Sequence, residues 1–395
     1  MVRPASEVRA HKGQPLGMPP GRFLRDYWQK RPLLIRHAFP DFTPPLSPDD
    51  LAGLACLEGV LARIVRHEPK RDRWTLHTGP FDDATFAQLP EKDWTLLVQD
   101  VDKWDADTAA LLERFAFIPS WRVDDVMISY AVEGGGVGAH VDQYDVFLLQ
   151  GQGQRRWAID TRPDAATDFR DDMELKLLRT FQPDHEWVLE SGDMLYLPPG
   201  IPHDGVAVGE CMTFSIGMRA PAASELLIDF AMHVAESLPE SRRFADPDLQ
   251  PAGDSGEIDD KALGRARRAL GLAAAMLDDD AFADWFGGFI TCYRVAQVAV
   301  PRKRAIDPAV VAKRLPHARL ERDPWTRIAW LRRGRNARLY VAGRSFDAPL
   351  GWARALAGSA RELDGNRLAR LPQQARGIAL LAKLIEAGHF RLQRD

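Results

Sequence analysis

Between Trp94 and Met218 the chain alternates short apolar runs, rich in β-branched and aromatic residues, with turns built from Gly, Pro and Asp. The runs are WTLLVQDV, VDDVMISYAV, YDVFLLQG, RRWAI, DMLYLPPG and MTFSIGM. Strands this short and this frequent predict an antiparallel β sandwich or barrel in a first region, residues 1–222. Helical pieces are expected before it at Pro20–Gln29 and Ser47–Leu57, and the first twenty residues, without periodicity, are expected to be loose. From Ala223 to about Ala299 the period lengthens to three and four in ELLIDFAMHVAESL, DKALGRARRALGLAAAMLDD and DAFADWFGGFITCYRVAQVA. Apolar helix faces with few ligand-type residues suit packing or self-association, so residues 223–300 are assigned as a helical dimerisation region. The rest, 301–395, predicts a helix (DPAVVAKRL), two strands (TRIAWLRR and ARLYVAG) turning at Gly334–Asn336, and helices near Leu350–Ala360 and Gln373–Ala387. A short end piece, HFRLQRD, closes it. Helices mixed with a small hairpin indicate a winged-helix-like α+β domain.

Composition adds limits rather than elements. A chain of 395 residues exceeds one ordinary core, and 45% hydrophobic residues suffice to fill two or three. The N-terminus, MVRPASEVRAHKGQPLGMPP, lacks the apolar core of a signal peptide, and no stretch approaches the roughly 18 apolar residues of a membrane span, so a cytoplasmic location without membrane contact is expected. Cys56, Cys211 and Cys292 are odd in number and far apart, which excludes a disulfide framework and a C-x-x-C metal site. They read as buried apolar residues. The net charge of −4 conceals an asymmetry: residues 301–395 carry 21 Lys and Arg against 8 Asp and Glu, a net of +13, leaving −17 for residues 1–300. The basic tail either meets an acidic surface or nucleic acid, or packs on the acidic part of its own chain.

Candidate chemistry concentrates in YAVEGGGVGAHVDQYDVFLLQGQGQRRW. His140 and Asp142 stand two apart, so on a strand they share a face and can share an ion. His203 follows the turn in GDMLYLPPGIPHDG, some sixty residues later, which suggests two non-adjacent strands brought together across a jelly-roll mouth. Two imidazoles and a carboxylate on one face of a metal leave positions open, as in non-haem Fe(II) oxygenases. His185 in PDHEW is a rival ligand but reads as a loop residue. In QRRWAID, Arg155 is in phase with Trp157 and Ile159 and points inward, where a guanidinium can grip a carboxylate by two parallel hydrogen bonds. Ser129 and Thr213 offer hydroxyls in phase with neighbouring inward positions. The glycines of Gly134–Gly138 lack the Lys-Ser/Thr of a phosphate loop. They let the backbone turn tightly before His140 or come close to a bound group.

These residues, together with FLRDYWQKRPLLIRHAF and FSIGMRAP, resemble the JmjC-type ribosomal oxygenases, and within them the bacterial ribosomal protein arginine hydroxylases. The resemblance implies a JmjC double-stranded β-helix (jelly-roll, cupin) domain, a helical dimerisation region and a winged-helix-like domain. It also implies an Fe(II)- and 2-oxoglutarate-dependent dioxygenase that uses dioxygen to hydroxylate a ribosomal protein, an arginine of the sixteenth large-subunit protein in bacterial members. By position, His140, Asp142 and His203 match the iron ligands, and Arg155 and Ser129 match the 2-oxoglutarate contacts, with Thr213 a weaker addition. Glu133, Asp145 and Asp204 flank the ligand segments as candidates for a substrate guanidinium, or else as rim charges and supports of the histidines. Histidine hydroxylation or demethylation would use the same iron site, and a non-catalytic metal-binding cupin docked on ribosomal RNA or protein is the reading from another class.

Overall fold

The computed structural model describes residues 5–11, 13–241, 243, 245, 247, 260–274, 279–358 and 360–394. It separates into two compact units, one of residues 1–220 with 359–361, the other of 221–358 with 362–395.

Eleven strands form the sheet of the first unit: β1 (Ser6–Arg9), β2 (Leu33–Arg36), β3 (Ala62–Glu68), β4 (Arg73–Thr78), β5 (Trp94–Val98), β6 (Val123–Ala131), β7 (His140–Val141), β8 (Val146–Ile159), β9 (His185–Leu189), β10 (Met194–Leu197) and β11 (Pro202–Met218). Their order is β1-β2-β10-β8-β11-β6-β5-β3-β4, with β7 on β11 and β9 on β8. The runs YDVFLLQG and RRWAI belong to one long strand, β8, and the segment after the Pro/Gly turn continues through MTFSIGM as β11. The two pair along their length, with register shifts between Val208 and Thr213 where both strands bend. The first residues are not all loose, because β1 lies parallel to β2 in register from Ser6↔Leu33 to Arg9↔Arg36.

Strand alternation sorts the side chains into two layers. Phe147, Leu149, Met194, Tyr196, Ile35 and Phe214 form the larger cluster with Phe23 of helix Pro20–Asp26 and Leu51 of helix Pro48–Ala55. The second helix starts where expected, at a Ser47 cap closed by Asp50 in a reciprocal capping box. The intervening residues, Leu34, Val146, Leu148, Trp157, Ile159, Leu189, Leu195 and Leu197, meet on the opposite face with Ile201. That second face is the barrel interior. It also carries the buried polar residues Ser129, Gln150, Arg155, His203 and Thr213.

The second unit begins with helices Ala223–Ser237, Asp260–Ala274 and Asp279–Cys292. The last stops seven residues short of the expected Ala299, with Arg294 at φ 49° just beyond it, a conformation that no helix continues through. Its carboxylate Asp284 takes Arg338 Nη2 at 2.9 Å and the Tyr340 hydroxyl at 2.9 Å, fastening the helix to the small sheet that follows. That sheet is β13 (Ile328–Arg333), β14 (Asn336–Val341) and β15 (Arg344–Pro349). The expected hairpin therefore has a third strand. The end piece pairs as β17 (Phe390–Arg394) with β12 (Ala318–Arg322), which also pairs β16 (Glu362–Asp364). Trp352, Leu339, Leu381 and Phe390 centre a separate, fully apolar core. The cysteines diverge from expectation: Cys211 is buried, Cys56 half-buried and Cys292 exposed. Among the described residues, no helix is long and apolar enough to cross a membrane.

Candidate metal and co-substrate site

His140 and His203 are directly opposite each other in the antiparallel pair of β7 and β11, so they lie on adjacent, hydrogen-bonded strands rather than across the mouth. Cross-strand partners project to the same face. The rings stand 4.2 Å apart between centroids, tilted by 58°. Asp142 follows β7 at once, and its Oδ2 lies 3.9 Å from His140 Nε2 and 3.7 Å from His203 Nε2. One ligand atom from each of the three residues falls within 4.8 Å of the others, the only such triple among the described residues.

Both imidazoles are oriented by the main chain. His140 Nδ1 lies 2.9 Å from the Gly138 carbonyl and His203 Nδ1 2.8 Å from the Ile201 carbonyl. A carbonyl only accepts, so each Nδ1 carries a proton, and in the neutral ring Nε2 is the atom with a free lone pair, on the side of Asp142. Burial, and then the neighbouring His140, push His203 below the usual imidazole range, which favours the neutral ring that a metal needs. The glycine-rich loop contributes closeness: a Cβ on Gly136 would come within 2.6 Å of the Gly205 carbonyl on β11.

Farther inside, Arg155 is 6% exposed and points inward as its phase predicts. Its Nη1 approaches Ser129 Oγ at 3.4 Å, while Nε and Nη2 are buried without a partner. The Trp157 ring stands between this cation and the metal triad, 5.8 Å from the Arg155 Cζ and 5.9 Å from the His203 ring. Its indole N–H is also buried and unpartnered. Gly205 makes room for that ring, since a Cβ there would touch it at 2.6 Å. Unpaired buried donors are costly, so three of them around one interior mark the place of an anionic or carbonyl-bearing group.

Thr213 is brought to this interior, opposite both Ser129 and Gln150, but its hydroxyl donates to Gln150 Oε1 at 3.0 Å. Gln150 escaped the sequence reading, and Trp157 was read there only as a neighbour in phase with Arg155. Gln150 is in phase with Val146 and Leu148, Trp157 with Arg155 and Ile159, and the register shift between them brings both to the inner face; a lone glutamine ending the apolar run VFLLQ was the signal in the sequence. His185 is not a loop residue; it opens β9, paired with Ile159, and its Nδ1 lies 3.0 Å from Asp184, outside the triad.

The three acidic candidates part company. Asp145 is fully buried, its Oδ1 accepting from the Tyr196 hydroxyl at 2.6 Å and its Oδ2 from Gln29 Nε2 at 2.9 Å, with Arg122 at 3.5 Å. Its oxygens are committed, so it serves as an internal brace and is withdrawn as a substrate contact. Glu133 is exposed and accepts from the Gly209 N–H at 2.5 Å. Asp204 keeps one buried oxygen unpartnered, and burial raises its carboxyl against the pull of His140, Arg156 and Arg155.

Residues 110–226 match the JmjC domain model and residues 272–391 the ROXA-like winged helix model. The ribosomal protein uL16 3-hydroxylase of Escherichia coli is 34% identical over 369 residues, covering 93% of this chain and 96% of that protein. A probable ribosomal oxygenase of Haemophilus influenzae is 42% identical over 212 residues, 53% of this chain and 51% of that one. This chain belongs to the JmjC-type ribosomal oxygenases. It is a 2-oxoglutarate-dependent oxygenase, which decides against the non-catalytic reading. Among solved structures, the E. coli ribosomal oxygenase YcfD in complex with cobalt and 2-oxoglutarate superposes with a TM-score of 0.79 at 34% identity, covering 95% of this chain and 99% of that one.

Proposed function

We propose that this oxygenase hydroxylates an arginine of a large-subunit ribosomal protein, the counterpart of uL16, with His140, Asp142 and His203 holding Fe(II) and Arg155 with Ser129 receiving the far carboxylate of 2-oxoglutarate. One observation carries the reading: a three-ligand cluster opens into an interior where a buried arginine keeps two donors unspent. The 34% identity to the uL16 3-hydroxylase along nearly the whole chain supports the substrate. When bound, iron and 2-oxoglutarate supply the oxidising chemistry, in which dioxygen yields one oxygen to the substrate C–H and one to succinate, with carbon dioxide released.

The chain's own residues orient these partners. The Gly138 and Ile201 carbonyls hold the imidazoles in one tautomer. Arg155 keeps its charge on burial, as a lysine would not, and offers a planar fork to a carboxylate. Trp157 Nε1 adds a donor toward the same molecule, and Leu148, Leu195 and Leu197 exclude water around it. Asp204, with one buried oxygen unpartnered, and Glu133, exposed at the rim, are the residues we assign to a substrate guanidinium. Thr213 acts through Gln150.

Mass spectrometry of ribosomal proteins from cells lacking this gene tests the assignment. Loss of a single-oxygen addition on an arginine peptide of the uL16 counterpart is expected. A change confined to a histidine peptide, or to a methylated one, moves the reading to the alternative substrates. We further propose a homodimer, formed where Leu227, Ile228 and Met232 leave an apolar stripe on helix Ala223–Ser237, 61–67% exposed. Sedimentation that shows only monomer at micromolar concentration contradicts it. A cytoplasmic location is proposed as well, on the strength of the proposed ribosomal-protein substrate.

A further inference from the structure

The hairpin of β13 and β14 carries arginines on both faces, and the two faces are treated differently. On one, Arg338 is held by Asp284 and by Asp347, and Arg333 by Asp280, so helix Asp279–Cys292 and β15 neutralise the charge. On the other, Trp330 and Arg332 follow Ile328 in strand phase, and the Arg354 guanidinium lies 5.5 Å above the Trp330 ring. Arg335 sits in the turn, and at the strand end Asn336 takes Arg376 Nη1 at 3.2 Å. Arg332, Arg335, Arg354 and Arg376 are all exposed, and none has a hydrogen bond or ion pair to a carboxylate among the described residues. Arg376 lies in the first turn of helix Gln374–Glu386, which holds no acidic residue there, so the positive end of that helix adds to the same field.

The nearby acids that might have balanced this face are spent elsewhere. Asp364 and Asp307 cap helices, and Glu362 pairs Arg319. Residues 301–395 carry 21 Lys and Arg against 8 Asp and Glu, a net of +13, and four of these cations lie here without a carboxylate partner among the described residues. Of those 21 cations, 18 are arginine, the side chain whose planar fork fits phosphate and whose face stacks on bases.

We infer that this face is a docking surface for the phosphate backbone of RNA, with Arg332, Arg335, Arg354 and Arg376 on phosphates and Trp330, packed against the domain core, as the support under Arg354. The phosphate chemistry is common to RNA and DNA. The choice of RNA rests on the proposed ribosomal-protein substrate, which is bound to RNA where it works. An acidic protein is the competing occupant, but four exposed planar guanidinium forks without carboxylate partners suit a continuous phosphate backbone better.

The test is fluorescence anisotropy with the full-length protein and a labelled twenty-nucleotide single-stranded RNA, an RNA duplex and a DNA duplex of the same sequence, across a salt series. A triple variant, R332Q/R335Q/R354Q, is compared with wild type and with a control of equal charge change, K313Q/R314Q/R391Q. Wild type is expected to bind both RNAs, the triple variant at least tenfold more weakly, and the control within threefold of wild type. The dependence of log Kd on log salt should flatten by roughly two units in the triple variant, since each lost phosphate contact removes about 0.7–0.9. Equal binding by the triple variant and wild type overturns the inference, as does equal weakening by the control, binding to DNA alone, or no binding to any of the three. Thermal melting shows whether each variant is folded. Turnover of 2-oxoglutarate is expected to be unchanged in the triple variant, so a failed RNA titration and a failed hydroxylation reading leave different traces.

Discussion

The two units treat buried polarity in opposite ways. In the winged-helix unit the core around Trp352 and Leu381 is apolar, and a buried hydroxyl such as Thr326 finds a partner in His389 Nδ1 at 2.9 Å. In the barrel, Arg155 Nε, Arg155 Nη2 and Trp157 Nε1 are as deeply buried but have no partner. Three open donors gathered around one barrel interior are placed for something that binds. The catalytic unit stores unspent donors inside; the winged-helix unit keeps its unspent charge on the surface.

That comparison is broken most severely at Arg155. Arg155→Ala is expected to raise the 2-oxoglutarate KM by 100-fold or more, on the order of the 3 kcal/mol that two charge-assisted hydrogen bonds supply. Arg155→Lys should recover only part of it, because an ammonium cannot make the paired contact. Calorimetric titration of 2-oxoglutarate into the Mn(II)-loaded protein without oxygen checks both. Trp157→Phe keeps the ring and removes only the N–H, so the same titration should weaken by about tenfold, near the 1.5 kcal/mol of one hydrogen bond to a charged acceptor. An unchanged affinity would return Trp157 to a purely packing role.

The brace at Asp145 belongs to the satisfied kind of buried polarity although it lies in the barrel. Asp145→Asn is expected to lower the melting temperature by several degrees, because Tyr196 and Gln29 both donate to its carboxylate, and to leave the 2-oxoglutarate affinity within threefold. A large affinity loss in a variant with normal melting would bring Asp145 back to the site. A pH-dependent effect on stability alone is expected at Asp125, whose carboxyl is pushed up to about 7 by burial, with Asp102, Asp124 and Asp100 adding to it. The unfolded chain ionises it near its ordinary 3.8, so the folded state holds the extra proton between the two values and loses stability as pH rises from about 4 to about 7. Asp125→Asn should flatten this part of the melting-temperature profile, with the gap to wild type growing up to about pH 7 and constant above it.

What the sequence disclosed follows from how local each feature is. The triad was legible because His140, Asp142 and His203 sit beside distinctive turns, and the inward aim of Arg155 because strand parity needs only its neighbours Trp157 and Ile159. The pairing of β7 with β11 was not legible, since a two-residue strand has no pattern of its own. Nor was the commitment of Asp145: its partners Gln29, Arg122 and Tyr196 come from three distant segments that only the folded sheet assembles. β1 was missed for a similar reason, as four residues find order only through the register of β2. The early end of helix Asp279–Cys292 turns on one backbone angle at Arg294, which periodicity does not report.

The most direct test of the central claim, that His140, Asp142 and His203 hold the iron of a 2-oxoglutarate oxygenase, is reconstitution with Fe(II) without oxygen, followed by measurement of succinate on admission of air. Wild type should convert 2-oxoglutarate to succinate, faster with the ribosomal protein present, while His140→Ala should fall to the level of protein without iron and bind Fe(II) far more weakly. Equal succinate formation by wild type and His140→Ala, with equal iron bound, would contradict it.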